Sequence, residues 1–194
     1  MDHLADLYEQ ARKSGKMSQN NLAELHALLY WYQANELEFS GGDINAILDL
    51  YFKAYETHPT PANIRSLYDA AFAARKAGDK DRAIKIFSRI IDIRNTEYEA
   101  LFNRAMLFDE VYQDHDRMFA DLAIAAKMGY VYAQNNIGYD YMTGIHGYPV
   151  NLQEARKWLV LAANQGYQHS KDKIAVVDAM LAKQQAQEKT AQHK

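Results

Sequence analysis

The sequence repeats itself at a nearly constant interval, and this repetition constrains the fold more than any single motif. Shifting the chain by 37 residues aligns AIAAKMGYVYA with VLAANQGYQHS, and a shift of 36 aligns GDINAILDLYFKAYETHP with GDKDRAIKIFSRIIDIRN. The alignments join into two ladders with steps of 36, 35 and 37 residues. Four units of similar length indicate a repeat protein. The ladders run through Ile47, Ala83, Met118 and Ala155, and through Tyr51, Phe87, Leu122 and Leu159.

Each unit is predicted to contain two α-helices. The 194 residues include three prolines and nine glycines, so long segments run uninterrupted. These segments carry apolar residues at helical spacing, and none alternates with period two, so the chain is predicted to be all-α. A lone helix at 2–13 and a last helix from about 167 are expected to cap the two ends. The paired helices are expected at 19–39 with 43–57, 62–76 with 80–94, 96–111 with 114–128, and 130–142 with 151–165.

Small and polar residues mark the expected helix ends. Asp43 and Asp79 follow a glycine directly before an apolar-periodic stretch, as N-cap residues do. Gly129 and Gly166 stand where a helix would end on a left-handed residue, and each is followed by a tyrosine expected to fold back onto the last turn. The Ala-Ala pairs before these glycines would let neighbouring helices approach closely.

These residues resemble a known repeat family. Residues 133–170 are similar to a Sel-one-like repeat, a relative of the tetratricopeptide repeat, although the loop IHGYPVN is lengthened and Ser170 replaces the usual alanine. Residues 28–128 resemble tetratricopeptide repeats more loosely, through Trp31 and Pro59 in the first unit. The Sel-one-like motif positions are Ile137, Gly138, Tyr141, Gly144, Ala155, Trp158, Ala162, Ala163 and Gly166, with Trp158 expected in the repeat core.

The resemblance implies a right-handed α-α superhelix, a solenoid of about four helix-turn-helix repeats with terminal capping helices. We expect one domain over 1–194, with tetratricopeptide-like repeats at 19–128 and a Sel-one-like repeat at 130–170. The remainder, 171–194, is expected to be a capping helix with a tail that frays toward His193.

Composition narrows the classes of function. A net charge of −3 disfavours nucleic acid as a partner, and no apolar run is long enough to span a bilayer. The chain has no cysteine, which excludes disulfides and thiolate metal sites and suits a reducing compartment. The N-terminus lacks the apolar run of a signal peptide. We therefore expect a cytoplasmic protein without a cofactor.

The sequence gives little support for a catalytic or metal-binding site. No His-x-x-x-His pair occurs, so a zinc site of that type is not predicted, and Asp114–Asp116 (DHD) is expected to cap a helix rather than bind a cation. The paired glycines of Ser40–Asp43 are explained by a helical turn with an N-cap. His146 and Tyr148 lie in the longest loop, so an enzyme or enzyme subunit using the 144–150 loop is the alternative hypothesis. The motif tyrosines Tyr51, Tyr130, Tyr141 and Tyr167 are expected in the core.

The leading hypothesis is a non-catalytic interaction scaffold. The first helix of each pair lines the concave surface of such a solenoid, and a protein or peptide partner would bind there. An immunity protein, a secretion chaperone and a regulatory adaptor all fit, as does a structural fragment that self-associates; the oligomeric state stays open. The expected partner-binding residues are Tyr32, Glu36 and Phe39; Arg65, Tyr68, Phe72 and Arg75; Asn103 (or Phe102) and Met106; and Tyr132, Asn135 and Tyr139.

Overall fold

The computed structural model describes residues 2–192, and the side chains of residues 3–191. The described residues are helical apart from short connections, and no strand occurs among them. A 3-10 turn, Ile145–Gly147, follows the eighth helix. The helices are α1 (Asp2–Ser14), α2 (Gln19–Phe39), α3 (Ile44–Thr57), α4 (Ile64–Lys76), α5 (Lys80–Ile93), α6 (Tyr98–Tyr112), α7 (His115–Lys127), α8 (Val131–Thr143), α9 (Leu152–Asn164) and α10 (Gln168–Gln192).

The predicted helices are all present, with boundaries within two residues of those expected. Successive helices pack on each other: α2 on α3, α4 on α5, α6 on α7 and α8 on α9, while α10 packs on α9 and α8. The all-α helical-repeat class is therefore confirmed. The tail continues as helix to Gln192, and the expected fraying at His193 lies outside the described residues.

Contacts within the chain group these helices into two compact units, 1–95 and 96–194. The first unit contains α1 to α5 and the second contains α6 to α10. The boundary falls in the turn between α5 and α6. The domain assignment made from the repeats, with its divisions at 19–128, 130–170 and 171–194, stays a prediction.

The two ladders of repeat positions form the cores of the units. In the first unit Ile47, Tyr51, Ala83 and Phe87 are all buried, and the corresponding side chains on α7 and α9 are buried in the second. The ladder positions occupy the same place on successive second helices, which is why they recur at a fixed interval. Trp158 was expected in this core, but it is only half-buried, and the core position is taken by its neighbour Leu159, which packs with Leu152, Ala155 and Val177.

The helix ends follow the predicted chemistry. Carboxylates of Asp43 and Asp79 accept hydrogen bonds from backbone N–H groups at 3.0 and 3.1 Å. Gly129 has φ of +92°, its N–H donates to the carbonyl of Ala126 at 3.0 Å, and the N–H of Tyr130 donates to Ala125 at 3.0 Å. This bond pair defines a Schellman ending. Gly166 ends α9 in the same way, with φ of +90° and bonds of 2.9 and 3.2 Å.

Small residues bring paired helices close together in the second unit. A Cβ atom added to Gly138 on α8 would lie 2.7 Å from Cγ of Leu159 on α9, closer than packed carbons approach. Ala162, from one of the Ala-Ala pairs, is fully buried, and both Ala125 and Ala126 are buried as well. The small side chains therefore occupy helix contacts, as the repeat pattern predicts.

One buried ion pair joins α6 to α7. The guanidinium of Arg104 donates to both carboxylate oxygens of Asp121, at 2.7 and 2.9 Å. Asp121 is buried, and the two-point geometry satisfies its carboxylate without solvent. None of the helices within residues 2–192 is long and apolar enough to cross a membrane.

Candidate partner-binding surface

The predicted residues on α2 are exposed. Tyr32 and Phe39 expose 49% and 95% of their surface, and Glu36 is exposed between them. Leu28, one turn before Tyr32, is 42% exposed and was missed by the sequence analysis. Its spacing from Tyr32 is the helical i, i+4 interval, which is the signal that could have found it. Leu28, Tyr32 and Phe39 are the exposed apolar and aromatic side chains of α2, and the charged Glu36 lies between Tyr32 and Phe39.

On α4 the predicted residues differ in exposure. Arg65 and Phe72 are exposed, whereas Arg75 is half-buried. Tyr68 is buried, with its ring stacked on Phe72 at 6.3 Å between centroids, so it does not reach solvent. The reason is that α4 packs against both α3 and α5. Phe72 therefore presents the aromatic surface of this helix, and Tyr68 supports it from beneath.

Side chains of α2 and α4 are joined by polar contacts. The indole Nε1 of Trp31 donates to Oδ2 of Asp69 at 2.7 Å, and Nε of Arg65 donates to Oδ1 of Asp69 at 3.2 Å. Near the other end, Nζ of Lys76 donates to Glu38 at 2.9 Å. The sequence analysis did not identify the two pairs that join α2 to α4, Trp31–Asp69 and Glu38–Lys76, although each separation of 38 residues is close to the repeat interval.

A pocket of about 240 Å³ opens between α2, α3 and α4. Its lining is mostly apolar, with Trp31 and Leu28 on one side and Arg65 on the other. Because the Trp31 indole is fixed by Asp69, one aromatic wall of the pocket is held in a defined orientation. The remaining lining residues are Glu24, Ala27, Ala54, Asn63 and Ser66.

Beneath this surface, Glu38 also accepts a hydrogen bond from the hydroxyl of Tyr51 at 3.2 Å. Burial raises the pKa of Tyr51, and the nearby Glu38 carboxylate raises it further. Tyr51 is thus a neutral core residue, as predicted, and its hydroxyl links the core of the unit to the surface pair of Glu38 and Lys76.

In the second unit the predicted residues also differ in exposure. Tyr132 and Tyr139 on α8 are exposed, while Asn103 and Met106 on α6 are half-buried. The Asn103 amide donates to the carbonyl of Glu99 at 2.8 Å, and the sulfur of Met106 lies 3.7 Å from the Asn136 amide nitrogen. The two tyrosines therefore provide most of the exposed surface among these four positions.

Asn135 is buried, and its side chain serves contacts within the unit. Its Oδ1 accepts hydrogen bonds from Ser170 at 3.1 Å and from Nζ of Lys173 at 2.9 Å, both on α10. Burial lowers the pKa of Lys173, whose ammonium also lies 5.2 Å from the ring centre of Tyr139. Asn135 therefore joins α8 to α10 through its buried amide.

An aromatic array extends the exposed tyrosines of the second unit. Tyr130 lies 5.0 Å from Tyr98 and 5.3 Å from Tyr132, and Tyr132 lies 5.4 Å from Tyr167, measured between ring centres. Phe102 joins the array at 5.2 Å from Tyr130. Burial raises the pKa of Tyr130 to about 12. Tyr130, Tyr167 and Tyr141 were expected in the core, but all three are half-buried, and Tyr98, on the exposed side of this array, was missed.

Comparison with known proteins rests on structure alone. No protein-family model matches the sequence, and no curated protein is significantly similar to it. Among solved structures, MamA aligns with a TM-score of 0.55 at 15% identity, covering 78% of this chain and 80% of that chain. A Sel1 repeat protein from Oxalobacter formigenes aligns with a TM-score of 0.52 at 20% identity, covering 74% of this chain and 61% of its own. YrrB, described as a TPR protein with an unusual peptide-binding site, aligns with a TM-score of 0.53 at 13% identity, covering 88% and 89%.

This chain has the fold of tetratricopeptide and Sel1-like helical-repeat proteins. At these identities the likeness establishes the fold, and it agrees with the resemblance drawn from the repeat motifs. In this fold, the Gly144–Val150 loop connects the two helices of a pair, α8 and α9.

Two side chains of this loop, Tyr148 and His146, contact neighbouring residues of the second unit. Tyr148 packs on Phe119 at 4.3 Å and on Tyr141 at 5.5 Å between ring centres, and burial raises its pKa. His146 has φ of +57° and places Nδ1 3.2 Å from Oδ1 of the buried Asp140. Burial raises the pKa of Asp140 to about 6, against the opposing effect of His146.

The two turn segments Ser40–Asp43 and Asp114–Asp116 each supply the N-cap of the helix that follows. Asp43, at the end of Ser40–Asp43, caps α3. Asp114 caps α7 through a 2.9 Å bond from the N–H of Arg117 and pairs with its guanidinium, so it plays the predicted capping role. His115 is half-buried, and its Nε2 lies 3.2 Å from Oδ1 of Asp109.

Proposed function

We propose that this helical-repeat protein binds a protein or peptide partner through the exposed side chains of its first helices and catalyses no reaction. The observation that carries the proposal is the exposure of three aromatic rings on α2 and α4: Tyr32, Phe39 and Phe72. Aromatic side chains are enriched at protein interfaces because their burial removes a large apolar surface from water. A partner segment with apolar side chains is the occupant that this surface suits.

The orientation of two of these rings, Phe72 and Tyr32, is largely set before a partner arrives. Phe72 rests edge-on against the core residue Phe87 at 5.7 Å, and Tyr32 rests edge-on against Trp31 at 5.1 Å. Trp31 is in turn fixed by its hydrogen bond to Asp69. Side chains that are already ordered lose less conformational entropy on binding, which favours a partner-binding role for this face.

In the second unit, Tyr132 and Tyr139 on α8 are proposed to contribute to partner binding, with the aromatic array around Tyr130 beside them. First helices line the concave surface of helical-repeat arrays, which supports their use as the binding face. We take the partner to be a protein or peptide rather than nucleic acid, because the net charge is −3. We also propose that the protein is located in the cytoplasm.

A more specific form of the proposal is that the protein neutralises or escorts one partner, as immunity proteins and secretion chaperones do. A small, mildly acidic chain with an aromatic binding face is compatible with a stable one-to-one complex. The description of YrrB as a peptide-binding TPR protein favours the peptide form of the partner. A toxin or effector gene beside the gene for this chain would support the neutralising role, and a stable complex with its product would establish it.

The experiment that tests the binding face compares variants for a partner purified with the full chain from the native host. Tyr32→Ala combined with Phe72→Ala should weaken binding at least about tenfold, because it removes two interface rings. The matched control is Ile93→Ala on α5, a similarly exposed apolar side chain in the same unit. Equal affinities for the wild type and the double variant, with unchanged helical content, would exclude this face.

A further inference from the structure

Three potential metal ligands from separate elements of the second unit converge at one point. Asp109 lies near the end of α6, His115 begins α7, and His146 lies in the 3-10 turn after α8. Oδ1 of Asp109 is 3.2 Å from Nε2 of His115 and 3.8 Å from Nε2 of His146. One donor atom from each residue lies within 4.8 Å of the other two. The three residues are half-buried, so the cluster is neither sealed in the core nor spread over the surface.

These separations are close to those of a bound metal ion. In a tetrahedral zinc site with bonds of about 2.0–2.2 Å, neighbouring ligand atoms are about 3.3–3.5 Å apart. The Asp109–His115 distance of 3.2 Å lies just below this range, and the Asp109–His146 distance of 3.8 Å lies above it. The two imidazole rings are tilted, with centroids 4.9 Å apart, so a small rotation of side chains would bring the third separation into range.

Asp140 supplies the interaction that a metal-binding histidine needs on its other ring nitrogen. Its buried carboxylate lies 3.2 Å from Nδ1 of His146, and because a carboxylate accepts, the proton of the neutral imidazole sits on Nδ1. The lone pair of Nε2 then faces Asp109 and His115. A carboxylate–histidine–metal arrangement of this kind fixes the tautomer and the direction of the ring.

The cluster also has an open side. A polar cleft of about 540 Å³ lies over it, lined by His115 and His146 together with Tyr112, Gln113, Asp114, Asp116 and Gly147. The nearest cation on α7, Arg117, is paired with Asp114 and lies over the ring of Phe108 at 4.4 Å. Three protein ligands with an open fourth position are typical of zinc sites that keep water or an exchangeable ligand.

We propose that Asp109, His115 and His146 bind a divalent transition-metal ion of the zinc class, with Asp140 orienting His146. Two imidazoles and one carboxylate suit zinc better than magnesium or calcium, which prefer all-oxygen ligands. The ion would join the end of α6, the start of α7 and the turn after α8. No metal was expected from the sequence, because the ligands are not arranged as a His-x-x-x-His pair.

The test uses the full chain, purified without a histidine tag, stripped with a chelator and titrated with Zn²⁺ against a chromophoric competitor. One ion per chain is expected. His115→Gln and His146→Asn should each weaken binding at least about 100-fold, and Asp140→Asn about 10- to 100-fold. Asparagine is chosen at position 146 because it tolerates a positive φ. The control His169→Ala, at an exposed histidine of the same unit, should bind like the wild type.

A second measurement needs no variant. On adding Zn²⁺ to the wild type, the imidazole ¹⁵N resonances of His115 and His146 should shift together and saturate at one equivalent. Absence of zinc binding, shifts confined to other histidines, or affinities unchanged by both His115→Gln and His146→Asn would overturn the proposal. Loss of zinc binding in His169→Ala, with binding retained in His115→Gln and His146→Asn, would also overturn the proposal.

Discussion

Trp31 and Asp69, which are 38 residues apart, are joined by a 2.7 Å hydrogen bond from the indole Nε1 to Oδ2 of the carboxylate. The bond connects α2 to α4, the first helices of two successive pairs. It also holds one wall of the pocket that lies beside the exposed rings of the first unit. A single contact therefore serves the packing of the repeats and the shape of the proposed binding face.

Removing the Asp69 carboxylate, which accepts the hydrogen bond from Trp31, should destabilise the first unit. In Asp69→Ala the part-buried indole N–H loses its partner and Arg65 loses its ion pair, so we expect a loss of about 1–3 kcal/mol in the free energy of unfolding. The matched control is Asp49→Ala, which breaks the exposed pair with Lys53 and should lower the free energy of unfolding clearly less, because solvent screens an exposed pair. Urea denaturation measures both. Equal effects of the two substitutions would mean that the Trp31 contact has no special role.

Gly166 should tolerate asparagine better than valine. Its φ of +90° is disfavoured for a β-branched residue, while no neighbour lies within 4 Å of an added Cβ, so the backbone alone decides the outcome. Gly166→Val should lower the free energy of unfolding by about 1 kcal/mol or more, and Gly166→Asn by clearly less. Thermal or chemical unfolding compares them. A valine variant as stable as the wild type would show that Gly166 does not end α9 as described.

The packing of α1 on α2 should weaken in acid. The ring of His26 stacks between Tyr8 and Tyr30, each 4.5 Å away between centres, and the Tyr8 hydroxyl lies 3.3 Å from its Nδ1. Burial lowers the pKa of His26 below its ordinary 6.5, although Glu9 opposes this. Below about pH 6.5 the unfolded chain therefore binds more protons than the folded one, and stability falls as the pH decreases.

Amide hydrogen exchange of α1 measures this dependence. Between about pH 7.5 and 5.5, after correction for intrinsic exchange rates, the free energy of local opening should decrease in the wild type. His26→Phe keeps an aromatic ring between the tyrosines but cannot be protonated, so its opening should be insensitive to pH over this range. The same pH dependence in both proteins would place its origin elsewhere.

The core and the helix ends could be predicted because they depend on local patterns. Tyr51 and Phe87 occupy the same place on successive second helices, so burial imposes the same residue type at a fixed interval. Gly129 and Gly166 mark helix ends because only a few residue types adopt a left-handed conformation easily. These features require no knowledge of distant contacts.

The surface could be predicted only in part. Helical periodicity places Tyr68 and Phe72 on one side of α4, but it does not tell how far the neighbouring helices cover that side, and only Phe72 is exposed. Asn135 looked like a surface amide, yet its partners, Ser170 and Lys173, lie on the last helix, α10. Contacts of this kind depend on packing between repeats, which a single helix pattern does not contain.

The cluster of Asp109, His115 and His146 could not be predicted from the sequence for a similar reason. His115 and His146 belong to different helix pairs, and the direction of His146 depends on its positive φ in a turn after α8. No local spacing motif encodes that meeting. Asp109 and Asp140 lie on α6 and α8, where carboxylates ordinarily indicate solvent-facing positions.

Hydrogen–deuterium exchange of the full chain, free and bound to its co-purified partner, tests the proposed binding face most directly. We predict that protection on binding is concentrated in α2 and α4 of the first unit, around Tyr32 and Phe72, and in α8 of the second, around Tyr132. The second helices α3 and α5 serve as internal controls. Protection confined to α3 and α5, with α2 and α4 unchanged, would contradict the account.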